Sequence, residues 1–448
     1  MPVEVWYIIA LIVIIGVTFI LLKRPLYECM FYGYVLMVIL TGKIDSFFSY
    51  ISKTSTDTLF YSIIAFLVLS KILDITKSID SVIKILVAIF GRIRGGAAYV
   101  AVMGSTFMGA LSGSGAGNVA TTGVFTIPAM KKAGLPAHLA ANIESSSSTM
   151  GNMIPPSGII LTALACFNEF SGQEMSQSVF WFACWGVALW FILQRLITVF
   201  IFCRYYRVEK MPKEQIPCFR DVIKEGWKNL LLPLIIILPF VIDSLFKSTL
   251  LTDRLGSGAS NLSSCLLLFT PGLAAVYSLL VNRKKTNIKQ IIDNMGNSVS
   301  SIVSIGATIF FAYCISNLFV DTNIGIAIGE YIQGFNLSIV AFAFLIPLFT
   351  MLLGMVLPGS AQTKIFGTTI ISVFASAGGN PLLIAVMLPV ITGAMEGITP
   401  PLALCTYTAM GIAESDMKST LLNSFVWVLL HYLLSVLVLL GVLPVLGV

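Results

Sequence analysis

The chain has 448 residues, of which 57% are hydrophobic and 11% are charged, and its formal net charge at pH 7 is +6. So few charged side chains cannot cover the surface of a soluble domain of this length. The composition therefore excludes a soluble protein and indicates one that lies in a bilayer. The basic excess does not indicate a nucleic-acid partner, because the Lys and Arg residues lie between the apolar runs. The cysteines show no CxxC or Cys/His spacing, which argues against a zinc site or a disulfide framework.

The first apolar run is predicted to be a retained membrane span over residues 5–22. An acidic residue precedes it and Lys23 and Arg24 follow it, which is the reverse of the charge order in a signal peptide. Further apolar runs of spanning length follow at 26–41, 57–73, 136–168, 179–202, 229–246, 260–281 and 297–319. When the basic segments are placed in the cytoplasm, as the positive-inside rule requires, the N-terminus lies outside.

The uncharged run 95–130 is about 54 Å long if it is helical, which is too long for one span. At its centre stand Ser112, Gly113, Ser114 and Gly115, which hold a helix together poorly. The run is therefore predicted to fold back at these residues as a re-entrant hairpin whose two ends lie in the cytoplasm.

A single shift along the sequence aligns the two halves of the chain. It places Gly109 on Gly354, and the proline pair at 155–156 on the pair at 400–401. We therefore predict an all-α polytopic membrane protein with two inverted-topology repeats, each of about five transmembrane helices plus one re-entrant hairpin. Residues 1–225 form the first repeat, with a cytoplasm-opening hairpin and a basic linker. Residues 226–448 form the second, with an outside-opening hairpin at about 338–377.

Each repeat has two predicted backbone breaks, one at the hairpin tip and one before the double proline, where the prolines suit the first turn of a new helix. Free carbonyls and nearby polar side chains suit a hard cation, and helix N-termini suit a substrate carboxylate. The alternative is that the small residues only let helices pack closely. The candidate substrate- and ion-binding residues are Ser112, Gly113, Ser114, Gly115, Asn118, Thr149, Gly151, Asn152, Pro155, Pro156, Pro358, Gly359, Ser360, Gln362, Lys364, Thr392, Glu396, Thr399 and Pro400. The candidate sodium ligands are Ser112, Ser114, Asn152, Ser360 and Glu396.

Three charged residues stand inside predicted spans, where burial is costly and usually functional: Glu144, Lys364 and Glu396. Lys364 and Glu396 either pair, so that the ammonium replaces a sodium ion, or Glu396 ligates sodium while Lys364 turns to the outer surface of the hairpin. Arg195 is predicted to reach the cytoplasmic surface along its aliphatic stem. His138 and His431 are predicted to be structural or interfacial, because no metal-ligand spacing links them.

An intramembrane enzyme is a weaker interpretation, because no histidine lies near Ser112 or Ser114 in the sequence and GSGAG lacks the GxSxG pattern of a nucleophilic serine. No Walker loop for ATP-driven transport is present. A channel is also conceivable, but inverted hairpins suit alternating access better.

The sequence from GRIRGGAAY to GNMIPPSG (91–158), together with LLGMVLPGSAQ (352–362) and ITPPLALCTYTAMGIAESD (398–416), resembles the large membrane subunit of the tripartite ATP-independent periplasmic (TRAP) transporters. GMVLPGSA looks most like the TAXI branch. The resemblance covers nearly the whole chain. It implies an elevator-type transporter of the ion transporter superfamily, whose partners are an extracytoplasmic substrate-binding protein and a small four-helix membrane subunit, here as a separate chain.

The predicted function is cation-coupled uptake of a small organic anion, most simply a carboxylate, across a bacterial or archaeal cytoplasmic membrane. No cofactor is expected beyond a coupling cation, Na+ or H+, and the choice stays open because Lys364 and Glu396 depart from the family pattern. The alternative within this class is a stand-alone anion symporter that needs no binding protein.

Overall fold

The computed structural model describes residues 2–112, 115–211, 214, 216–246, 251–256, 258–283, 287–335, 337–355, 357–399 and 403–448. Over these residues the secondary structure is helical and contains no strand, as predicted. The candidate site residues Gly113, Ser114 and Pro400 lie outside this description, as does the side chain of Ser112.

The helices of the first half of the chain are α1 (Val3–Gly16), α2 (Leu26–Leu40), α3 (Phe47–Ser55), α4 (Thr58–Ile75), α5 (Ser78–Phe90), α6 (Gly96–Ser112), α7 (Gly115–Lys132), α8 (Ala137–Ser148), α9 (Gly158–Ser171), α10 (Gln177–Tyr205) and α11 (Phe219–Gly226). Those of the second half are α12 (Leu232–Phe246), α13 (Thr252–Leu255), α14 (Gly258–Val281), α15 (Ile288–Asp321), α16 (Ile324–Gln333), α17 (Ile339–Leu353), α18 (Gly359–Ser376), α19 (Pro381–Pro389), α20 (Leu404–Ala413) and α21 (Met417–Leu439).

The predicted spans correspond to helices whose ends carry the expected local signals. Asn380 precedes Pro381, and its side-chain oxygen accepts from the amides of Leu382 (2.9 Å) and Leu383 (3.3 Å), so an N-cap followed by proline starts α19. Helices α3, α5, α11, α13 and α16 were not predicted. Each by itself has at most 13 residues, which is shorter than a membrane span, and α5 and α11 pack on each other.

Both predicted hairpin regions consist of two helices that pack together, and both predicted second breaks are present. In the first repeat, α8 runs into a 3-10 turn at Thr149–Asn152 before α9 begins. In the second, α19 continues as a π-helical segment at Val390–Ala394, and α20 begins only at Leu404. One detail of the prediction is wrong. Pro155 and Pro156, joined by a cis peptide bond, precede α9 rather than form its first turn, because the helix starts at Gly158.

The same sequence shift that aligns the halves also aligns their helices. It takes α6, α7 and α8 onto α17, α18 and α19, and it takes α4 and α5 onto the end of α15 and onto α16. The two halves interdigitate in space: α18 packs on α9, α20 packs on α7 and α8, and α15 packs on α2. The breaks of both halves are therefore brought into one region.

By length and composition, four described segments can cross a membrane alone: Gln177–Tyr205, Phe219–Asp243, Ile302–Asp321 and Met417–Leu439. The bent pair Ile44–Ser55 and Phe60–Leu73 is a fifth candidate. Shorter apolar helices of 10–17 residues accompany them, among them α2, α9, α17 and α20. Their lengths are those expected when a spanning segment is divided by a break.

Candidate transport site

Four of the interrupted segments meet at one cavity of about 210 Å³. The two hairpin tips contribute Gly115 and Ser360, and the two broken spans contribute Asn152 and Glu396. Pro358 also lines it, so five of the predicted site residues share one cavity. A larger cavity of about 550 Å³ lies between α5, α7 and the residues Met211, Glu214 and Pro217, away from the breaks.

The remaining described candidates do not line this cavity but pack or hydrogen-bond around it: Asn118, Thr149, Gly151, Pro155, Pro156, Gly359, Gln362, Lys364, Thr392 and Thr399. Thr392, for example, shares a 2.8 Å hydrogen bond with Thr363 of α18. Gln362 donates to the carbonyl of Leu357 at 2.9 Å, and Thr399 donates to Met395 at 2.7 Å. These groups shape the breaks rather than face the cavity.

The opposite wall of the cavity is mainly apolar and was not predicted. It is formed by Ile63 and Phe66 of α4 and by Ile305, Thr308 and Ile309 of α15. In the sequence these residues look like ordinary span residues, because nothing local distinguishes an apolar side chain that faces a cavity from one that faces lipid.

Glycine contacts hold each hairpin arm against a broken span. A Cβ atom added at Gly109 of α6 would lie 2.3 Å from the Cα of Gly151. A Cβ atom added at Gly359 of α18 would lie 2.3 Å from the Cα of Gly393. Both distances are to backbone atoms, which cannot rotate away as a flexible side chain can, so only glycine allows these backbones to approach so closely.

Glu396 lies at the start of α18, where its Oε2 accepts a hydrogen bond from the backbone N–H of Gly359. A carboxylate is favourable at this position because the first amides of a helix carry partial positive charge. Glu396 is half-buried and also lines the cavity. It therefore joins the second broken span to the tip of the second hairpin.

Lys364 does not pair with Glu396 in the described part of the chain, where the ion pairs lie elsewhere. Its Nζ lies 4.7 Å from the ring centroid of Tyr313 on α15. This is a cation–π contact, in which the ring face takes the place of a counter-ion. Of the two interpretations of this pair, the geometry matches the one in which Lys364 turns away from the hairpin tip.

Arg195 of α10 connects the two broken spans and does not reach the cytoplasmic surface, so that prediction is wrong. Its side chain is 0% exposed. Its Nε donates to the carbonyl of Ser146 at 2.9 Å, and one Nη lies 3.4 Å from the Thr149 hydroxyl and 3.3 Å from Nδ1 of His431. The buried guanidinium hydrogens have acceptors, because the carbonyls of Ser146 and Phe191 and the side-chain oxygen of Gln194 accept them.

The His431 ring extends this chain of hydrogen bonds to the second repeat. A guanidinium group only donates hydrogen bonds, so Nδ1 of His431 must accept, and the ring proton is on Nε2. Nε2 then donates to the carbonyl of Val390 at 3.1 Å, where the π-helical segment begins. Asn152 gives a second link, since its amide donates to the carbonyl of Gly393 at 2.5 Å. The sequence signal was a charged residue inside an apolar run, which usually has a buried partner.

We expect Arg195→Met to lower the thermal stability of the purified protein. The substitution leaves the Ser146 carbonyl without its donor, and each buried polar group left unpaired costs about 1–3 kcal/mol. Arg204→Met is the matched control, because Arg204 lies on the same helix but is exposed. The melting temperatures of the two variants, measured in detergent, should differ by several degrees. Equal melting temperatures would show that the bonds of Arg195 contribute no net stability.

Glu144 of α8 is 0% exposed and its carboxyl group is surrounded by hydroxyl groups. Oε1 accepts from Ser105 at 2.9 Å, from Ser148 at 3.1 Å and from Thr122, while Oε2 accepts from Thr126. These hydroxyls belong to α6, α7 and α8, so the group lies where the arms of the first hairpin meet the first broken span.

Over the described residues the chain is helical, with membrane-spanning and interrupted helices around one cavity, and this is the architecture of a membrane transport protein. The family model of the tripartite ATP-independent periplasmic transporter, DctM component, matches residues 5–446, so the chain belongs to this family. It is thus the large permease type of TRAP transporter subunit and a multi-pass protein of the inner membrane.

Named relatives agree with this assignment. The C4-dicarboxylate TRAP transporter large permease protein DctM of Vibrio cholerae is 22% identical over 384 residues, which cover 80% of this chain and 78% of that protein. The isethionate TRAP transporter permease protein DctMQ of Oleidesulfovibrio alaskensis is 20% identical over 362 residues, 79% of this chain and 52% of that protein.

Two solved transporter structures are similar in fold. The YdaH transporter of Alcanivorax borkumensis has a TM-score of 0.56 and 16% sequence identity, and the match covers 98% of each chain. MtrF of Neisseria gonorrhoeae has a TM-score of 0.56 and 13% identity, and the match covers 90% of this chain and 83% of MtrF.

Proposed function

We propose that this chain is the permease subunit that imports a small organic anion by cation-coupled alternating access. The observation that carries the proposal is the cavity at which both hairpin tips and both broken spans meet. Inverted repeats with discontinuous helices at a shared central site are typical of secondary transporters. The inverted orientation of the repeats, with the N-terminus outside, belongs to this proposal.

The cavity has distinct places for an anion and a cation. The N-terminus of α18 already receives the Glu396 carboxylate, whereas the N-terminus of α7, at Gly115, faces the cavity. A substrate carboxylate therefore fits best beside α7, where the positive end of the helix dipole favours negative charge. The coupling cation fits best near Glu396 and Asn152, which supply a carboxylate and an amide oxygen.

The apolar wall supports an elevator-type movement. Ile63, Phe66, Ile305 and Ile309 present no charge to the hairpin tips. A surface of this kind makes few directional bonds, so the helices that carry the breaks can slide past this wall. The cation–π contact between Lys364 of α18 and Tyr313 of α15 is one described contact that the movement would have to break. In this proposal α4 and α15 stay fixed while the site moves.

We propose that a binding protein outside the membrane delivers the substrate and that a small membrane subunit accompanies the permease, as the family assignment suggests. The named relatives transport C4-dicarboxylates and isethionate, which are both small anions. Labelled succinate and isethionate are therefore the first probes. The TAXI branch remains a prediction from the sequence.

The proposal is tested by uptake into proteoliposomes that contain the permease and its small subunit. With the binding protein and a cation gradient present, we expect accumulation of one probe, and we expect little accumulation when the binding protein is omitted. Omitting the gradient is the control for coupling. Full uptake without the binding protein would support the stand-alone symporter. No uptake of any small organic anion under either condition would contradict the proposed function.

A further inference from the structure

The carboxyl group of Glu144 lies outside the transport cavity and has no cation beside it. No Lys, Arg or His nitrogen of the described chain lies within 4.0 Å of its oxygens. On the helices packed against α8, Lys131 donates to the carbonyl of Ala413, and His431 is bonded to Arg195. On α20, the thiol of Cys405 is a further titratable group near Glu144. A buried carboxylate without a counter-ion is costly, so its partners decide whether it ionises.

The partners allow both protonation states. Each hydroxyl group has one hydrogen to donate. The Thr126 hydroxyl lies beside Oε2 of Glu144 and also 3.0 Å from the carbonyl of Thr122. The Thr122 hydroxyl lies beside Oε1 and also 2.9 Å from the carbonyl of Asn118. Each threonine can therefore donate either to the carboxyl group or to its own helix.

The two states differ only in the direction of these hydrogen bonds. When Glu144 carries a proton, its O–H donates to the Thr126 oxygen, and Thr126 donates to the Thr122 carbonyl. When the proton leaves, Thr126 turns and donates to Oε2, and Thr122 turns from the Asn118 carbonyl to Oε1. Ser105 and Ser148 donate to Oε1 in both states. No buried donor or acceptor of the group loses its partner in either state, so neither state carries the cost of an unpaired group.

The cluster is also connected to the tip of the first hairpin. Asn118 of α7 donates to the carbonyl of Ser105 at 2.7 Å and of Ser148 at 3.3 Å. Asn118 lies about one helical turn from Gly115, which lines the cavity. When the Thr122 hydroxyl turns to Oε1, it no longer donates to the Asn118 carbonyl. The hydrogen bonding in the first turns of α7, next to the hairpin tip, therefore changes.

We propose that Glu144 is a proton-binding site that takes up and releases one proton during the transport cycle. The inference rests on the proposed function, and it assigns a coupling ion to a group buried outside the cavity. It implies that the position of the first hairpin and the protonation of Glu144 depend on each other.

Infrared spectroscopy of the purified full chain tests the site without any substrate. A protonated carboxyl group gives a carbonyl band that its carboxylate does not. We expect such a band in the wild type at acidic pH and its loss at alkaline pH. Because other carboxyl groups also give such a band, the contribution of Glu144 is taken as the wild-type spectrum minus the spectrum of Glu144→Gln. This difference should show a carbonyl band at acidic pH that is lost at alkaline pH, and Glu144→Asp, Glu396→Gln and Glu174→Gln should retain that band. Glu174 is exposed in the loop before α10 and serves as the matched control. A difference spectrum without this band, or with a band that persists at every pH, would overturn the proposal.

Transport tests the coupling. In proteoliposomes with the binding protein and labelled succinate, uptake is compared with and without a pH gradient, acidic outside, at equal sodium on both sides. The uptake ratio is the uptake with the pH gradient divided by the uptake without it. We expect a ratio above one for the wild type and for Glu174→Gln, and a ratio of about one for Glu144→Gln. The ratio is taken within each variant, so a lower amount of folded protein does not change it. An equal pH response in Glu144→Gln would assign the proton to another carboxyl group. Loss of uptake in the wild type would instead count against the proposed function, because the infrared result stands without transport.

Discussion

Glu396→Gln is expected to lower the initial rate of substrate uptake by about tenfold or more, which corresponds to at least about 1.4 kcal/mol of lost cation binding. Glutamine keeps an oxygen that can accept from the N–H of Gly359, so the start of α18 is preserved. What is lost is the negative charge at the cavity. A cation is held there by oxygen ligands and by that charge. The cation concentration that gives half-maximal uptake should therefore be higher in Glu396→Gln than in the wild type.

Glu396→Ala and Glu174→Gln complete this comparison. Alanine removes both the charge and the hydrogen bond, so we expect Glu396→Ala to be at least as inactive as Glu396→Gln and also less stable. The exposed Glu174 should tolerate glutamine with uptake close to wild type. If Glu396→Gln transported normally and only Glu396→Ala failed, Glu396 would be a helix cap and not a cation ligand.

The second large effect is expected at the glycine contacts. Gly359→Ala places a methyl group 2.3 Å from the Cα of Gly393, and Gly109→Ala places one at the same distance from the Cα of Gly151. The backbones must separate, and overpacking of this kind costs about 1–3 kcal/mol. The hairpin tips would then no longer close on the broken spans. If the closed arrangement becomes less favourable by about 1.4 kcal/mol or more, uptake should fall by about tenfold or more.

Gly411→Ala is the matched control for both glycine variants. Gly411 lies within α20, and a Cβ atom added there has no neighbour within 4 Å. Alanine is also the better helix former, so this variant should be as stable as the wild type or more stable. Uptake is compared per amount of folded protein, determined by size-exclusion chromatography. Wild-type uptake by Gly359→Ala would mean that the contact between α18 and the π-helical segment is not needed for transport.

The sequence by itself determined the helical class, most of the helix positions and the positions of the breaks. The informative features are the apolar runs, the glycine and serine residues at Ser112–Gly115, and the proline pairs. They act through local backbone energies and through the requirement that a membrane segment satisfy its own hydrogen bonds. The repeated pattern further predicted that tips and broken spans lie together. In the structure Gly115, Asn152, Pro358, Ser360 and Glu396 line one cavity, and their role in binding stays a prediction.

Only the tertiary structure decided what the buried charged groups contact. Arg195 meets His431 across 236 residues of sequence, Lys364 meets the ring of Tyr313, and Glu144 is held by hydroxyls from three helices. A charged residue in an apolar run indicates only that a partner must exist, because burying it alone is too costly. Which partner it finds depends on how distant helices pack, and small and apolar side chains permit many packings whose sequences look alike.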